Sequence, residues 1–453
     1  MPEPFERSDS CLHLGAPPRG SQTLIYRWAC LGVLFLSAFL TFCIRLAPAV
    51  ALPNLQAAFG LTAAELSLLT ALYLWPFAFM QPLAGLLTDV LGPRRSVTIF
   101  LTITGLGQLL LALAPNFTLA LLGRACTGFG ASILYVAAAK IMAQWFRRRE
   151  FGTLTGAWTS VANLGGIAAA APLAAVLPLI GWRASFGAIG LAVLATALLV
   201  FVVVRDSPAD LGWPAPIDPH EPTQSAEAGR PLSSWQGLCI VLREPNTWLL
   251  GGYAFLLFGT MTMMQGLWAV PYLMDIYGRT QQEAANSLTL WAVGLIFGCT
   301  LWGYVADRVV KTRKGVVCAG AVVYALLWVL LAVRPAGLPV GLLPVAMFWG
   351  GFFASTWIPA YAQLKDSVSP QVVGAAMGML NLFFWLGGAF YQQITGLLLE
   401  AFPKQAGHIP LAGYRTLFWF CLGSVSLSVI LSVCSKEQSS REPIRRGIGH
   451  SVP

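Results

Sequence analysis

The sequence predicts an all-α membrane protein: twelve transmembrane helices in two pseudo-symmetric six-helix bundles. Three observations predict it. The 453 residues are 57% hydrophobic and only 10% charged, with a mean hydropathy of +0.69, whereas soluble domains carry about 25% charged residues. Apolar segments of about 20 residues recur along the chain, the length that crosses a hydrocarbon layer, without the alternating pattern of a membrane barrel. The two halves echo each other on either side of one long polar segment.

The first six spans are expected at about 27–50, 64–88, 96–115, 118–144, 152–179 and 184–204. The second six are expected at about 247–274, 284–306, 316–333, 340–364, 373–400 and 413–434. This divides the chain into a tail (1–24), a bundle (25–204), a linker (205–246), a second bundle (247–434) and a tail (435–453). The linker contains RDSPADLGWPAPIDPHEPTQSAEAGRP and reads as solvated, because proline and charge oppose packing. The first tail shows no cleavable signal pattern, since the first apolar run already has full spanning length.

Lysine and arginine placement sets the expected orientation. Arg94, Arg95, Arg147, Arg148, Arg149, Arg308, Lys311, Arg313 and Lys314 fall in loops on the side of the termini, with further cations in the linker and tails. The other side holds only Arg183, Arg279, Arg334, Lys404 and Arg415. Both termini are therefore expected in the cytoplasm, in a monomer of the cell (inner) membrane surrounded by lipid. The net charge of +9 reflects this asymmetry and not a nucleic-acid partner. Most of the nine cysteines lie in spans and read as small packing residues. The four histidines lie in loops or tails, so no metal site or cofactor is expected. Asn116-Phe117-Thr118 matches a glycosylation acceptor in a very short loop, a chance match.

The internal repeat is specific. Gly85 and Asp89 match Gly303 and Asp307 at an offset of 218. Gly152, Gly156, Gly165 and Gly166 match Gly374, Gly378, Gly387 and Gly388 at an offset of 222. Glycines at this spacing let helix backbones approach closely in lipid, and repeated halves are a feature of transporters. Gly85-x-x-x-Asp89-x-x-Gly92-x-Arg94-Arg95, with the weaker copy around Gly303, Asp307 and Arg308, resembles the loop signature of the major facilitator superfamily. Arg124-x-x-x-Gly128-x-Gly130-Ala131, the Trp145–Glu150 segment and Gly181-Trp182-Arg183-x-x-Phe186 are similar to further motifs of that superfamily. The resemblance spans about residues 25–435 and implies its fold, with alternating access as the mechanism. Asp89, placed at the interface, is expected to meet nearby arginines and a helix amino terminus, forming a latch with Gly85, Gly92, Arg94 and Arg95 that holds one side shut.

Ionisable residues inside spans are rare because each costs about 2.5–3.5 kcal/mol at the bilayer centre. The chain has three basic ones, Arg45, Arg124 and Lys140, and no acid deep in any span. A cavity whose only deep charge is positive attracts anions. Internal symmetry carries Arg45 to positions 263–267, centred on Gln265, so Arg45 and Gln265 are expected to face each other. Arginine grips a carboxylate with two parallel hydrogen bonds. Arg124 is expected to bond structurally or couple conformations, and Lys140 to reach out to the cytoplasm.

IRLAPAVALPNL followed by MQPLAGLLTDVLG resembles the anion:cation symporter family of hexuronate- and aldonate-type carriers. That resemblance implies that Arg45 contacts a substrate carboxylate. Organophosphate antiporters pair such an arginine with a basic residue in helix seven, where this chain has Gln265. Proton-coupled members carry an acid before that arginine and another in helix four. Here Ile44 and Ala131 or Ser132 stand instead, so coupling to a proton or sodium through those sites is in question. Further candidates on cavity-lining helices are Tyr73, Asn163, Ser355, Thr356, Trp357 and Asn381, with Trp268, Tyr272 and Trp385 added as aromatics.

The leading reading is a carrier of a small organic anion, a monocarboxylate, working by symport, exchange or facilitated transport. A drug or metabolite exporter is the second reading; the absence of buried acids weighs against a cation exporter. A non-transporting nutrient sensor on the same scaffold is a third, disfavoured by tails and a linker too short for an output domain. No nucleophile–base pair or nucleotide loop suggests an enzyme.

Overall fold

The computed structural model describes residues 20–213, 234–405 and 407–437. Most of the expected tails, 1–24 and 435–453, and residues 214–233 of the linker lie outside the described residues. Among the described residues, eleven continuous helical stretches are long and apolar enough to cross a membrane. One of them, Ala171–Val203, is broken at Gly181, whose φ of 77° lies in the left-handed region that glycine tolerates. The break separates the end of a pass begun at Arg148 from a further pass, and the count becomes twelve.

In chain order these are α1 (Gly20–Phe59), α2 (Ala63–Leu91), α3 (Pro93–Leu113) and α4 (Phe117–Trp145). Next, α5 begins as Arg148–Ala168 and is completed by the start of Ala171–Val203, while α6 is the remainder after Gly181. The second half comprises α7 (Pro245–Tyr277), α8 (Gln281–Tyr304), α9 (Arg313–Val333), α10 (Val340–Ser367), α11 (Val373–Glu400) and α12 (Leu411–Cys434). The helix carrying the fifth span begins at Arg148, four residues before the expected 152. A short helix, Ser234–Arg243, occupies the end of the expected linker and touches α7 and α11.

Local chemistry sets the turns. Thr62 and Glu65 form a reciprocal capping box at α2, as Thr280 and Glu283 do at α8, which satisfies amide donors a helix start leaves free. Asn116 caps α4, its Oδ1 accepting from the Leu119 amide at 3.0 Å. Gly92 takes φ +81° between α2 and α3, with Pro93 opening α3, a position where the missing proline N–H costs nothing.

The repeated glycines divide by depth in the same way in both halves. A Cβ on Gly165 would stand 1.9 Å from the Phe39 carbonyl oxygen, so α5 lies against α1. A Cβ on Gly387 would stand 2.2 Å from the Phe255 carbonyl oxygen, so α11 lies against α7. Gly152, Gly156, Gly374 and Gly378, nearer the terminus-bearing side, have nothing within 4 Å of such a Cβ.

The halves join along α2 and α11, between α1 and α7, and between α5 and α8. Away from the termini, the Glu400 carboxylate accepts from the Ala64 amide at 2.9 Å. There too, Gln281 Nε2 donates to Val50 O at 2.6 Å and Asn54 Oδ1 at 2.9 Å. Gln282 Nε2 donates to Ala171 O at 3.1 Å. Nearer the terminus side the described cross-half hydrogen bonds narrow to one, Asn381 to Gln81 between α11 and α2. The molecule is closed on the side opposite its termini.

Candidate functional site

Arg45 sits midway along α1, at the seam between the halves. Its guanidinium carbon lies 5.1 Å from the Phe42 ring of its own helix and 5.0 Å from the Trp385 ring of α11. Among the described residues no carboxylate and no hydrogen-bond acceptor reaches it. Aromatic faces attract a cation through their quadrupoles but leave all five of its N–H donors free.

Beside it lies a narrow cavity of about 10 Å³, on the order of one water. The first half lines it with Arg45, Leu46, Thr70, Tyr73, Leu74 and Arg124; the second half adds Thr262, Gly266 and Gln392. Arg124 is buried, donates from Nε to Leu69 O and from Nη1 to Ile44 O at 3.3 Å each, and stands 4.9 Å over the Tyr73 ring. Its structural bonding was expected. Its place in the cavity was not, and the site holds two guanidiniums where one was expected.

The facing of Arg45 by Gln265 is corrected. Gln265 is buried but does not line this cavity; Gly266, one residue on, does. Residues Met264–Trp268 form a π-helical turn, and its extra residue shifts the helical register. A Cβ on Gly266 would come 2.5 Å from Gln392 Nε2, so the glycine lets a glutamine of α11 supply the amide that α7 was expected to supply. Nothing in the sequence singled out Gln392 or Thr262.

The other expected residues fall into three groups. Tyr73, Trp385 and Asn381 are brought together: Trp385 donates to Asn381 Oδ1 at 3.2 Å, Tyr361 donates to the same oxygen at 2.9 Å, and Phe77 lies between Tyr73 and Trp385 in a run of ring contacts. Trp357 joins this aromatic wall through Phe258 and Phe384. Trp268 donates to Thr395 Oγ1 at 2.9 Å and lines a separate outer cavity of about 140 Å³. Ser355, Thr356 and Tyr272 do not reach either cavity. Ser355 packs on Gly298, Thr356 on Gly320, and the Tyr272 hydroxyl donates to Pro335 O at 2.5 Å, because each lies on a face turned into its own bundle. Asn163 donates to Thr159 O of its own helix at 2.9 Å.

The loop motif also departs from expectation. The Asp89 ion-pair partner is Lys140 of α4, not an arginine, and Lys140 Nζ also donates to Gly85 O at 3.2 Å. Lys140 therefore reaches the exposed Asp89 of α2, with about a third of its own side chain exposed. The amino terminus of α3 is met by Asp206, whose Oδ1 accepts from the Arg94 amide and whose Oδ2 lies 3.2 Å from where a Cβ on Gly92 would sit. The Arg94 side chain donates from Nε to Phe201 O at 3.1 Å and covers the Phe201 ring, and Arg95 is exposed. In the second copy Gly303 has open space around it and Arg308 is exposed; the Asp307 side chain lies outside the described residues.

A fold of two helical bundles is what a family comparison also finds. The family model described as Major Facilitator Superfamily matches residues 34–390 and 254–449. The chain belongs to that superfamily. It is an integral multi-pass membrane transporter and not an enzyme. It is 24% identical over 95% of its length to the whole of the probable sulfoacetate transporter SauU of Cupriavidus necator. It is 25% identical to the hexuronate transporter of Bacillus subtilis, over 85% of this chain and 91% of that one. In fold it matches the crystal structure of a bacterial homologue of the human lysosomal transporter Spinster, inward-facing and unoccupied. That TM-score is 0.73 at 19% identity, covering 90% of this chain and 96% of that one.

Proposed function

We propose that this chain moves a small organic anion, with a carboxylate as its charged group, by alternating access, and that Arg45 is the anchor. One observation carries the reading: a guanidinium at the seam of the two halves with no carboxylate or acceptor among the described residues. A carboxylate docking there replaces lost hydration with two parallel charge-assisted hydrogen bonds. Arg124, already holding two backbone carbonyls, acts mainly through its field. Two relatives named for anionic substrates support the class. The single-charge monocarboxylate expected from one guanidinium gives way to an anion of one or two charges, since the cavity carries two.

No aspartate or glutamate lines the cavity among the described residues, so transport is read as exchange or uniport without proton coupling through a buried acid. Asp89 with Lys140, and Arg94 with Asp206, tie helices together within the first half on the terminus side, which is read as the cytoplasm. The test is thermal stabilisation of the purified protein by a panel of carboxylates, sulfonates, phosphates and cations, repeated with Arg45→Gln. A carboxylate should stabilise the wild type and leave the variant unmoved; stabilisation by cations alone would reject the reading. Uptake into liposomes should proceed without acceleration by a pH gradient.

A further inference from the structure

Outward of the Arg45 cavity lies the larger cavity of about 140 Å³, and both halves build it. The first half supplies Leu52, Pro53, Ala63 and Leu66; the second supplies Trp268 and Met274 of α7. Leu46 lines the Arg45 cavity and Leu52 the outer one, which sets the two about 9 Å apart along α1 at about 1.5 Å per residue. Pro53 and Ala63 adjoin Asn54 and Ala64, which bond to Gln281 and Glu400 of the other half. The walls therefore meet only while the outer side is shut.

The rim carries Asp275, His408 and Lys404, and the first two are spent on each other. Asp275 Oδ1 lies 2.7 Å from His408 Nδ1, while Oδ2 accepts from the Ile409 amide at 3.2 Å and the Tyr414 hydroxyl at 2.8 Å. With three donors on its carboxylate and its side chain 12% exposed, Asp275 has little left for a cation. Lys404 is exposed and pairs with no carboxylate among the described residues. The charge left for a guest is positive, above an apolar floor that includes the buried Leu52, Leu66 and Trp268.

We propose that this outer cavity binds an aromatic monocarboxylate the size of benzoate, ring inward and carboxylate at Lys404, and that the bound acid holds the outer side shut. An apolar space of about 150 Å³ takes a benzene ring, so the volume fits. An indole and a thioether favour an aromatic body over an aliphatic one. A neutral head leaves the ammonium unanswered, and a cationic head opposes it. A guest touching α1 and α2 on one side and α7 on the other binds the shut form and stabilises it by mass action. The site is a brake on transport. The braking rests on the alternating access proposed above, whereas the binding does not depend on Arg45.

The experiment titrates benzoate, benzyl alcohol, benzylamine and acetate into the purified full chain carrying Arg45→Gln, which removes the central anchor. Benzoate should bind that chain, benzyl alcohol about two- to fivefold more weakly, and benzylamine more weakly still. Adding Lys404→Gln, at an exposed position, should bring benzoate down to the level of benzyl alcohol. Adding Met274→Trp, which fills the cavity, should weaken benzoate at least about tenfold. Benzoate should also slow hydrogen exchange around Ala64, whose amide bonds to Glu400 across the shut side. Absence of benzoate binding overturns the inference, as does binding that neither added substitution weakens, or a preference for benzylamine. Unchanged exchange around Ala64 overturns the brake. Acetate, with no body to fill the outer cavity, reports the anchor: stabilisation of the Arg45→Gln chain equal to wild type rejects the anchor and leaves the outer site standing.

Discussion

Helices α1 and α7 occupy equivalent places in the two halves, yet they treat the cavity in opposite ways. The first is a continuous helix that brings a guanidinium to the seam and stacks it on Phe42. The second is interrupted by a π-helical turn and offers a glycine and a threonine. Repetition therefore fixed the scaffold and not the chemistry. Charged side chains line the cavity from one half and only neutral residues line it from the other.

Seven substitutions break or sharpen that comparison, beginning with the largest functional effect. Arg45→Gln should abolish anion-dependent stabilisation and uptake, at least about a hundredfold, because it removes the two-toothed charged contact; the equivalent Gln265→Ala should leave anion affinity within about threefold. Gly165→Val and Gly387→Val should each destabilise by roughly 3 kcal/mol or more, since added carbons meet a backbone oxygen. Gly156→Ala and Gly378→Ala, where space is open, should stay within about 0.5 kcal/mol in thermal unfolding. Arg124→Gln should cost about 1–3 kcal/mol by stranding the Leu69 and Ile44 carbonyls, a stability loss that Arg45→Gln does not share.

The smallest effect lies in the two loop copies. Gly92 adopts φ +81°, while its counterpart Val310 cannot, and the positive φ moves to Lys311 at +56°. Lys311→Gly should therefore stabilise by about 0.4–1 kcal/mol, whereas Gly92→Ala should destabilise by at least that much; denaturation midpoints in one detergent would check both. Lys140→Met, which removes the ion-pair partner of the exposed Asp89, should change stability by no more than about 1 kcal/mol.

The spans, the repeat and Arg45 were legible because each leaves a one-dimensional trace. Long apolar runs, glycines in register and a charge inside a span need no knowledge of neighbours. Gln392 was not legible: a glutamine on an apolar helix points wherever packing turns it, and the folded chain brings it to the cavity against Gly266. Gln265 was misplaced because a symmetry offset assumes an even helical pitch, which the π turn violates. Ser355 and Thr356 were misread for a related reason. A 3-10 turn at Ser355–Trp357 directs both hydroxyls back to Phe352 O and Phe353 O of their own helix.

The aromatic clasp around Arg45 couples grip to shape. Phe42 rides on the same helix as the guanidinium, whereas Trp385 belongs to the opposite bundle. Any swing that draws α1 away from α11 strips one ring from the cation and keeps the other. On the proposed alternating-access reading, that uncovered face, worth on the order of 0.5–2 kcal/mol of attraction, becomes free for water or for an anion each time the bundles rock.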